Sequence, residues 1–277
     1  MSTGPGVAVQ DRLAPEAIHA GLRTRWLARP LHWLEQTDST NRVALELARQ
    51  GAAAGTTVVA EGQTAGRGRL GRSFFSPAYQ NLYTSIVLRP ALTAAEAPAL
   101  ALAAAVAVAD AVAESVGAPR AVEIKWPNDV LLGGLKVSGL LMELGSEGSR
   151  VSHGVLGIGV NLNVDPALFP EEFRARATSL AGYLGRRVDR VAFAQHLYER
   201  LEAVLDLCAE RGLAGVLPAF DAHFRMRGRR VRVENLGGQT QEGVALGIGS
   251  DGALRLGTAA GETRVLAGDV TLSKEWA

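Results

Sequence analysis

The stretch "EGQTAGRGRLGRSFFSPAYQNLYTSIVLRP", residues 61–90, decides which fold this chain can adopt. Its glycines spell G-x-G-x-x-G from Gly66 to Gly71, and the segment from Gly66 to Ser73 nearly completes a P-loop, with arginine in place of the lysine. Both motifs cradle phosphates by running directly into the N-terminus of a helix. Here the glycines run into a Ser-Pro turn and then a strand-like segment closed by Pro90. We therefore interpret the stretch as neither a dinucleotide fingerprint nor a P-loop.

Three arginines lie within the same stretch. Arg67, Arg69 and Arg72 fall within six residues and are interleaved with glycines. Arginine offers a fixed fork of N–H donors suited to carboxylate or phosphate, and glycine lets the backbone approach a ligand closely. In an extended segment, Arg67 and Arg69 project on the same side. These residues alone leave two interpretations open: an anion-binding loop, or a flexible surface loop with solvated arginines.

The elements around this stretch predict an α+β fold. Before it, residues 37–51 predict a helix capped by Asp38 or Ser39, and residues 56–63 predict a strand. After it, the patterns predict a strand at 81–90, a buried Ala-rich helix from about Thr93 to Val116, a strand at 121–126, a hairpin at 129–144 turning at Gly133-Gly134, a strand at 151–164, and two helices within 189–224. This order is not an alternating β-α-β series, so it favours a mixed or antiparallel sheet over a doubly wound fold.

The character of the sequence changes at Gly228. From there to the C-terminus, short strand-like stretches are separated by G-G and D-G turns. Such a segment makes a small antiparallel barrel. The chain is thus predicted to have a larger α+β unit followed by a small β-barrel.

Two further stretches suggest a ligand site. Lys136 lies on the returning arm of the predicted hairpin among apolar neighbours, where an ammonium needs a partner such as a bound anion. In residues 157–164, apolar side chains form one face of a strand, and the other face consists of Gly157, Gly159, Asn161 and Asn163. The Gly/Asn face leaves a gap that a flat, partly polar ligand would fill, although a bulge or a tight strand crossing explains it nearly as well.

The composition is that of an ordinary globular chain. It has 277 residues, 47% apolar and 21% charged, and its net charge of +1 does not point to a nucleic-acid partner. The single cysteine, Cys208, provides no disulfide framework and no metal site, and we expect it in the core. The start of the chain has no signal-peptide pattern, and the longest uncharged apolar run, 97–109, is shorter than the roughly 20 residues that span a bilayer. We therefore expect a cytoplasmic protein without a membrane partner.

Six stretches, in this order, resemble the bacterial biotin protein ligases. They are DSTN (38–41), EGQTAGRGRLGRSFFSP (61–77), NLYTSIVLRP (81–90), KWPNDVLL (125–132), LKVSGLLMEL (135–144) and GIGVNLN (157–163). The GRGR and KWPND stretches together are specific to that family, whereas lipoate ligases share the fold but not this pair. The resemblance implies a class II synthetase-like catalytic domain, with a mixed sheet and helices, followed by an SH3-like barrel.

The resemblance also implies a domain organisation. It places an N-terminal extension at 1–30, a catalytic domain that binds biotin and ATP at 31–226, and the barrel at 227–277. Some relatives carry an N-terminal DNA-binding helix-turn-helix domain, and the 30 residues before the catalytic region are too few for it. We therefore expect the monofunctional enzyme, which does not bind DNA, as a monomer or a homodimer.

Matched position by position, the resemblance assigns roles to individual residues. Residues around the biotin ring are Ser39, Thr40, Asn41 and Gln63, and those lining its pocket are Gly157 and Gly159. The loop that closes over biotin and the phosphates contains Gly66, Arg67, Gly68 and Arg69. Lys136 is placed near the biotin carboxylate and the α-phosphate. The ATP and metal side receives Asn128, Asp129 and Asn161. Phe74 departs from the tryptophan of some relatives but keeps an aromatic wall.

The activity that the resemblance implies is a two-step ligation. The biotin carboxylate attacks the α-phosphate of ATP and expels pyrophosphate, and a lysine amine of a biotin carboxyl carrier domain then attacks the resulting biotinyl-5'-AMP. Because two anions must meet, fixed cations are the main catalytic requirement. The implied catalytic set is Lys136, Arg67 and Arg69, with Mg²⁺ bridging the phosphates and no dedicated metal site in the protein.

Two alternatives remain. A lipoate ligase is another acyl-adenylate enzyme of similar architecture, but it needs a longer, wholly apolar pocket. A nucleic-acid-binding module is suggested by five arginines between Arg225 and Arg232 at the edge of the barrel. A solvated strand edge explains those arginines equally simply, and no aromatic residues interleave them for base stacking.

Overall fold

Two β-sheets organise the part of the chain that a computed structural model describes, residues 11–90, 98–147, 150–234 and 238–272. The strands of the first sheet are β1 Leu31–Thr37, β2 Thr57–Gln63, β3 Leu82–Leu88, β4 Val122–Lys125, β5 Asp129–Leu132, β6 Leu135–Glu147 and β7 Arg150–Val160. The helices are α1 Pro15–Gly21, α2 Thr40–Arg49, α3 Pro98–Val116, α4 Glu171–Arg174, α5 Leu180–Leu184 and α6 Arg190–His223.

The first sheet is mixed, as predicted. Its strand order is β1-β2-β3-β7-β6-β5-β4, and every pair is antiparallel except β1 with β2, which are parallel. Strand β1, helix α2 and strand β2 therefore form one β-α-β unit, which the sequence did not predict. The reason is that β1 is an edge strand in which only Leu31 is buried, so it lacks a clear alternating pattern.

Helices α3 and α6 pack against each other and cover the end of the sheet formed by β4, β5 and β6. The segment Ala99–Val116 of α3 is long and apolar enough to cross a membrane, but 72% of it is buried inside the protein. A helix that is apolar nearly all round is typical of a core position, which agrees with the predicted burial. Its predicted start at Thr93 lies outside the described residues.

Helix α6 is broken at Gly212. Gly212 has φ 64° and ψ −172°, which is not helical, so the element consists of a longer and a shorter helix on either side of it. Only glycine adopts this combination of dihedral angles without strain. The prediction of two helices within 189–224 is confirmed.

Residues 11–30 belong to the same core as the sheet. Leu13, Ile18 and Leu27 are fully buried in it. The carboxylate of Glu202 on α6 accepts hydrogen bonds from the backbone N–H groups of residues 25, 26 and 27, at 2.9–3.0 Å. From residue 11 onward, the predicted extension is therefore integrated into the larger unit, and the domain boundaries at 30 and 226 stay a prediction.

The C-terminal unit is a small antiparallel sheet, as predicted. Its strands are β8 Arg230–Glu234, β9 Thr240–Ile248, β10 Leu254–Thr258, β11 Gly261–Val265 and β12 Asp269–Leu272, in the order β11-β10-β9-β8-β12. Strand β8 buries Val231 and Val233 and exposes its arginines, although it lies between β9 and β12 and not at an edge. Arg232 pairs with Glu242 on the neighbouring strand. Arg230 and Arg232 thus lie on the solvated face of an interior strand and not at the predicted edge, whereas Arg225, Arg227 and Arg229 precede the strand.

Candidate active site

The glycine- and arginine-rich loop between β2 and β3 is a tight turn without a helix after it. Backbone hydrogen bonds join Gly68 N–H to Arg72 C=O at 2.7 Å and Phe74 N–H to Gly66 C=O at 2.9 Å. A single 3₁₀ turn spans Arg69–Gly71, in which Leu70 has φ 58°. Gly66 cannot be replaced without a shift, because a Cβ there would lie 2.4 Å from the Phe74 carbonyl oxygen. The conclusion that this is neither a P-loop nor a dinucleotide fingerprint is confirmed.

The arginines of the loop are paired with protein groups. Arg67 forms an ion pair of 3.0 Å with Glu143 on β6, whereas Arg69 donates to Asn128 Oδ1 at 3.0 Å. A turn begins at Arg69, so the two arginines do not share the extended segment from which their common side was predicted. Burial lowers the pKa of Arg69, and the charge of Asp269 opposes that shift. Arg69 is only 20% exposed, so the interpretation of a flexible loop with solvated arginines does not describe it, whereas Arg67 and Arg72 are at least half exposed.

The N-terminus of α2 is joined to the end of β2. Thr40 donates to Gln63 Oε1 through its backbone N–H at 2.9 Å and its hydroxyl at 3.1 Å, and Gln63 Nε2 donates to Ser76 Oγ at 3.0 Å. Ser39 is the N-cap residue, but its hydroxyl does not cap the helix. Ser39, Thr40 and Asn41 are all buried. The structure therefore brings together the polar residues predicted around the biotin ring.

Asn41 occupies the space above Gly157. A Cβ on Gly157 would lie 2.0 Å from Asn41 Oδ1. The amide is held by the Ser85 hydroxyl, 2.6 Å from Oδ1, and by Glu143, which accepts from Nδ2 at 2.9 Å. Sequence reasoning missed Ser85 and Glu143. Glu143 is a charged residue within an apolar run, and that pattern could have indicated a functional role. Nothing in the sequence around Ser85 indicates one.

Phe74 occupies the space above the next glycines of the sheet. Across β3, β7, β6 and β5 the register aligns Tyr83, Gly159, Gly139 and Asp129. A Cβ on Gly159 would lie 2.6 Å from the Phe74 ring, and one on Gly139 would lie 3.5 Å from it. The Gly face is therefore no open gap: it is covered by Asn41 and by an aromatic ring, which matches the predicted aromatic wall.

The predicted hairpin is confirmed and holds Lys136 against Asp129. Strands β5 and β6 pair antiparallel, and Gly133 and Gly134 have φ of 60° and 80° in the turn. Lys136 Nζ lies 2.7 Å from Asp129 Oδ1, and its side chain is 38% exposed. Lys136 thus lies at the surface of the site with a carboxylate partner, which corrects the expectation of an ammonium among apolar neighbours.

Asn161 lies apart from this cluster in its contacts. Its side chain donates to the Thr178 carbonyl at 3.1 Å and lies 3.4 Å from Asn81 Nδ2. Asn163 exchanges two hydrogen bonds of 2.8 Å with the backbone of Val188. Both asparagines join the end of β7 to later segments, and neither contacts Asn128 or Asp129 in the described structure.

Comparisons with known proteins agree with this geometry. Residues 33–161 match the sequence profile of the Biotin/lipoate A/B protein ligase family, and residues 228–273 match that of the Biotin protein ligase C terminal domain. The chain is 38% identical over 241 residues to the biotin–[acetyl-CoA-carboxylase] ligase of Paracoccus denitrificans, covering 86% of this chain and 98% of that one. The chain belongs to the biotin protein ligase family. It is an ATP-dependent ligase, and the alternative of a lipoate ligase is not favoured.

Other relatives of the ligase include a two-function protein. This chain is 36% identical over 261 residues to the bifunctional ligase/repressor of Bacillus subtilis, covering 94% of this chain and 79% of that one. A structure of the biotin protein ligase from Aquifex aeolicus in complex with biotin and ATP superposes with a TM-score of 0.74 at 31% identity, over 88% of this chain and 98% of that one. The fold class predicted from the sequence is thereby confirmed.

The site of the ligase combines polar and cationic groups. Thr40, Gln63 and Asn41 line one part, and Arg67, Arg69 and Lys136 supply cations. Within the described ranges, no three His, Cys, Asp or Glu side chains converge as metal ligands. Such a site can bind a partly polar ligand and neutralise anions without a protein nucleophile.

Proposed function

We propose that the ligase joins biotin to ATP in this site, forming biotinyl-5'-AMP and releasing pyrophosphate, and then transfers biotin to a lysine of a biotin carboxyl carrier domain, releasing AMP. The observation that carries the proposal is the convergence of the arginine loop, the Lys136–Asp129 pair and the polar N-terminus of α2 beside one face of the sheet. The carrier is supported by the names of relatives, which are biotin–[acetyl-CoA-carboxylase] ligases.

The polar residues would hold the ring of biotin. Gln63 is fixed at its oxygen by Thr40 and at its nitrogen by Ser76, and Asn41 is fixed by Ser85 and Glu143. Fixed side chains bind a ligand with little loss of conformational entropy. Ser39 is buried beside them with a hydroxyl that does not cap α2, so it is free to contribute a further contact.

The cations would act from positions in which carboxylates already hold them. Lys136 and Arg67 are held by Asp129 and Glu143, at 2.7 and 3.0 Å. As the biotin carboxylate approaches the α-phosphate, negative charge accumulates between them, and cations already in place stabilise it without reorganisation. The carboxylate partners thus keep the cations oriented before the substrates arrive.

Mg²⁺ belongs to the proposal as a companion of ATP. Asn128 and Asp129 are adjacent oxygen donors, but Asn128 Oδ1 accepts from Arg69 and Asp129 pairs with Lys136. This fits an ion held mostly by phosphates with one or two protein oxygens, not a dedicated protein cage. When bound, Mg²⁺ would neutralise phosphate charge.

A biotin-dependent exchange assay tests the proposal. The purified chain is incubated with ATP and labelled pyrophosphate, with biotin in one reaction and lipoate in another, and label entering ATP is measured. We expect exchange with biotin only. Addition of a carrier domain should then give biotinylation, and a carrier with its acceptor lysine changed to arginine serves as the control. Exchange with lipoate alone, or biotin exchange without transfer, contradicts the proposal.

We also propose that the ligase acts in the cytoplasm and does not use nucleic acid. A single buried thiol, Cys208, supports a reducing compartment. The exposed arginines Arg227 and Arg232 are paired with Asp221 and Glu242, which supports a solvated surface. Duplex DNA at low salt provides the sensitive test, because phosphate contacts are strongest there. Retention of DNA under those conditions contradicts this part of the proposal.

A further inference from the structure

The C-terminal barrel reaches the arginine loop through one short segment. Arg69 donates to the Gly268 carbonyl at 3.3 Å, and its guanidinium lies 3.7 Å from Asp269 Oδ1. Arg72 forms an ion pair with the other oxygen of the same carboxylate. Asp269 therefore contacts two arginines of a loop that lies far earlier in the chain. The Arg69–Gly268 hydrogen bond joins residues 199 positions apart.

Asp269 lies opposite another carboxylate in its sheet, so a nearby positive charge stabilises it. It is the first residue of β12, and its register partner on β8 is Glu234. Residues directly opposite in an antiparallel pair share a face, and like charges there are destabilising. Two loop arginines next to Asp269 offset that repulsion. The contact also stabilises Arg69: burial disfavours the charged guanidinium and lowers its pKa, and the charge of Asp269 opposes that shift.

Gly268 permits the close approach of this segment. A Cβ at this position would lie 2.7 Å from the Glu234 carbonyl oxygen and 2.8 Å from a Val233 methyl group. The glycine thus lets β12 begin close against β8 while its own carbonyl faces Arg69. The barrel presents a carbonyl and a carboxylate together, and both accept from the loop.

We propose that Asp269 is a positioning residue: it fixes the glycine- and arginine-rich loop to the barrel through Arg72 and Arg69, and thereby places Arg69 and Arg67 beside the site. Arg72 acts chiefly through Asp269, since its side chain is 65% exposed and its described ion pair is with that carboxylate. Arg69 is held between Asn128 of the sheet and the barrel. The kinetic consequence rests on the proposed function, whereas the fixing of the loop does not.

Two variants and a control test the fixing of the loop. Asp269→Asn keeps the size of the side chain and removes its charge, and Asp269→Glu retains the charge. Glu262→Gln is the control, because it removes the charge of another carboxylate of the barrel, which pairs with Arg255 and is 43% exposed against 26% for Asp269. The readout is limited trypsin cleavage after residues 67, 69 and 72 in the full chain. We expect Asp269→Asn to accelerate this cleavage by about fivefold, the scale of losing a partly exposed ion pair. Glu262→Gln should not change it, and Asp269→Glu should restore protection.

Kinetic measurements distinguish two roles for Asp269: positioning the loop arginines, or competing with substrate phosphate for them. If Asp269 positions the arginines, Asp269→Asn should lower kcat for biotin-dependent pyrophosphate exchange and leave the KM for biotin and the melting temperature nearly unchanged. The double variant Asp269→Asn/Arg72→Gln should be no slower than Asp269→Asn alone, because Arg72 has lost its partner in both. A lower KM for ATP with unchanged trypsin protection would show that Asp269 merely competes with phosphate, and it would overturn the proposal. Unchanged cleavage with impaired exchange would also overturn it, whereas absence of exchange in the unmodified chain would refute only the proposed function.

Discussion

At the scale of single residues, the central question is whether Lys136 serves the chemistry or only its partner Asp129. We expect Lys136→Ala to slow adenylate formation by about 100-fold or more, the scale of losing one preorganised electrostatic group. Transfer from supplied biotinyl-AMP should suffer less, because the anhydride already exists. Lys136→Arg should rescue poorly, since a planar fork does not replace a compact ammonium. Pyrophosphate release and transfer from added adenylate are the two measurements.

The ion pair provides the control for this prediction. Lys136→Ala leaves the charge of Asp129 without the partner seen 2.7 Å away. If that residual charge caused the defect, Lys136→Ala/Asp129→Asn would recover adenylate formation. We expect the double variant to stay slow, because the missing cation is what the reaction requires. Recovery, or a single variant with near-normal pyrophosphate release, would reduce Lys136 to a structural role.

Gly159 is the second residue at which packing and ligand binding must be separated. Gly159→Val places new atoms where the Phe74 ring lies, 2.6 Å from the Cβ position. Overpacking of this kind costs about 1–3 kcal/mol, and we expect a matching decrease in the free energy of unfolding together with lost biotin binding. Denaturant titration and isothermal calorimetry measure the two effects.

A compensating change separates them. Phe74→Ala removes the ring and should recover the stability of Gly159→Val, because the three atoms nearest to the added Cβ all belong to that ring. Biotin binding should not return, since the aromatic wall is then absent and the valine remains on the floor of the site. Recovery of both stability and binding would show that Gly159 serves only to accommodate Phe74.

At the scale of elements, the break in α6 depends on the glycine at position 212. Gly212 has φ 64° and ψ −172°, a region that is essentially restricted to glycine. Gly212→Ala is therefore expected to lower the free energy of unfolding by about 1–3 kcal/mol, although alanine favours helices elsewhere. Urea denaturation provides the measurement. A stabilised variant would indicate that α6 can straighten, and the break would then not be required.

The sheet shows why the site lies where it does. Gly157 and Gly159 are two residues apart on β7, so they lie on one face of the sheet, next to Ser85 and Tyr83 of β3. Helix α2 covers part of that face and contributes Asn41. Helices α3 and α6 pack together elsewhere in the core. One row of the sheet therefore carries the candidate site, and the adjacent loop supplies its cations.

At the scale of the whole molecule, Glu202 connects the N-terminal segment to α6. Burial tends to raise the pKa of this carboxyl, but hydrogen bonds from the backbone N–H groups of Leu27, Arg25 and Trp26 hold the pKa below its ordinary value of 4.5. A lowered pKa in the folded state means that ionised Glu202 stabilises the fold above pH 4.5, and that this contribution is lost as the pH falls through the lowered value.

The lowered pKa of Glu202 predicts how the stability of the fold depends on pH. Glu202→Gln should reduce the free energy of unfolding at pH 7 by about 1.5–3 kcal/mol, the range for hydrogen bonds to a charged group. The difference from the unmodified chain should shrink as the pH falls below 4.5. Denaturant titrations at several pH values measure it, with Glu46→Gln on the exposed face of α2 as a control that should show little change. A difference that does not depend on pH would rule out the ionised carboxylate as its cause.

Much of the fold and part of the site were determined by local sequence. The strand after the glycines excluded a phosphate-binding helix, the Gly133-Gly134 turn set a hairpin, and the alternation around Ile158 set the apolar face of β7. These features depend on neighbours a few residues apart, whose steric and hydrophobic preferences act within one element. The polar residues at the start of α2 and at Gln63 were predicted through the family resemblance and lie in contact.

Only the tertiary structure decided which side chains meet. Asn41 above Gly157, Phe74 above Gly159, and Asp269 beside Arg72 all depend on sheet register or on the placement of the barrel. The edge strand β1 also went unpredicted, because an edge position buries too few side chains to leave a pattern. Local propensity is insensitive to such contacts, since their energy comes from groups far apart in the chain that meet only once the sheets have assembled.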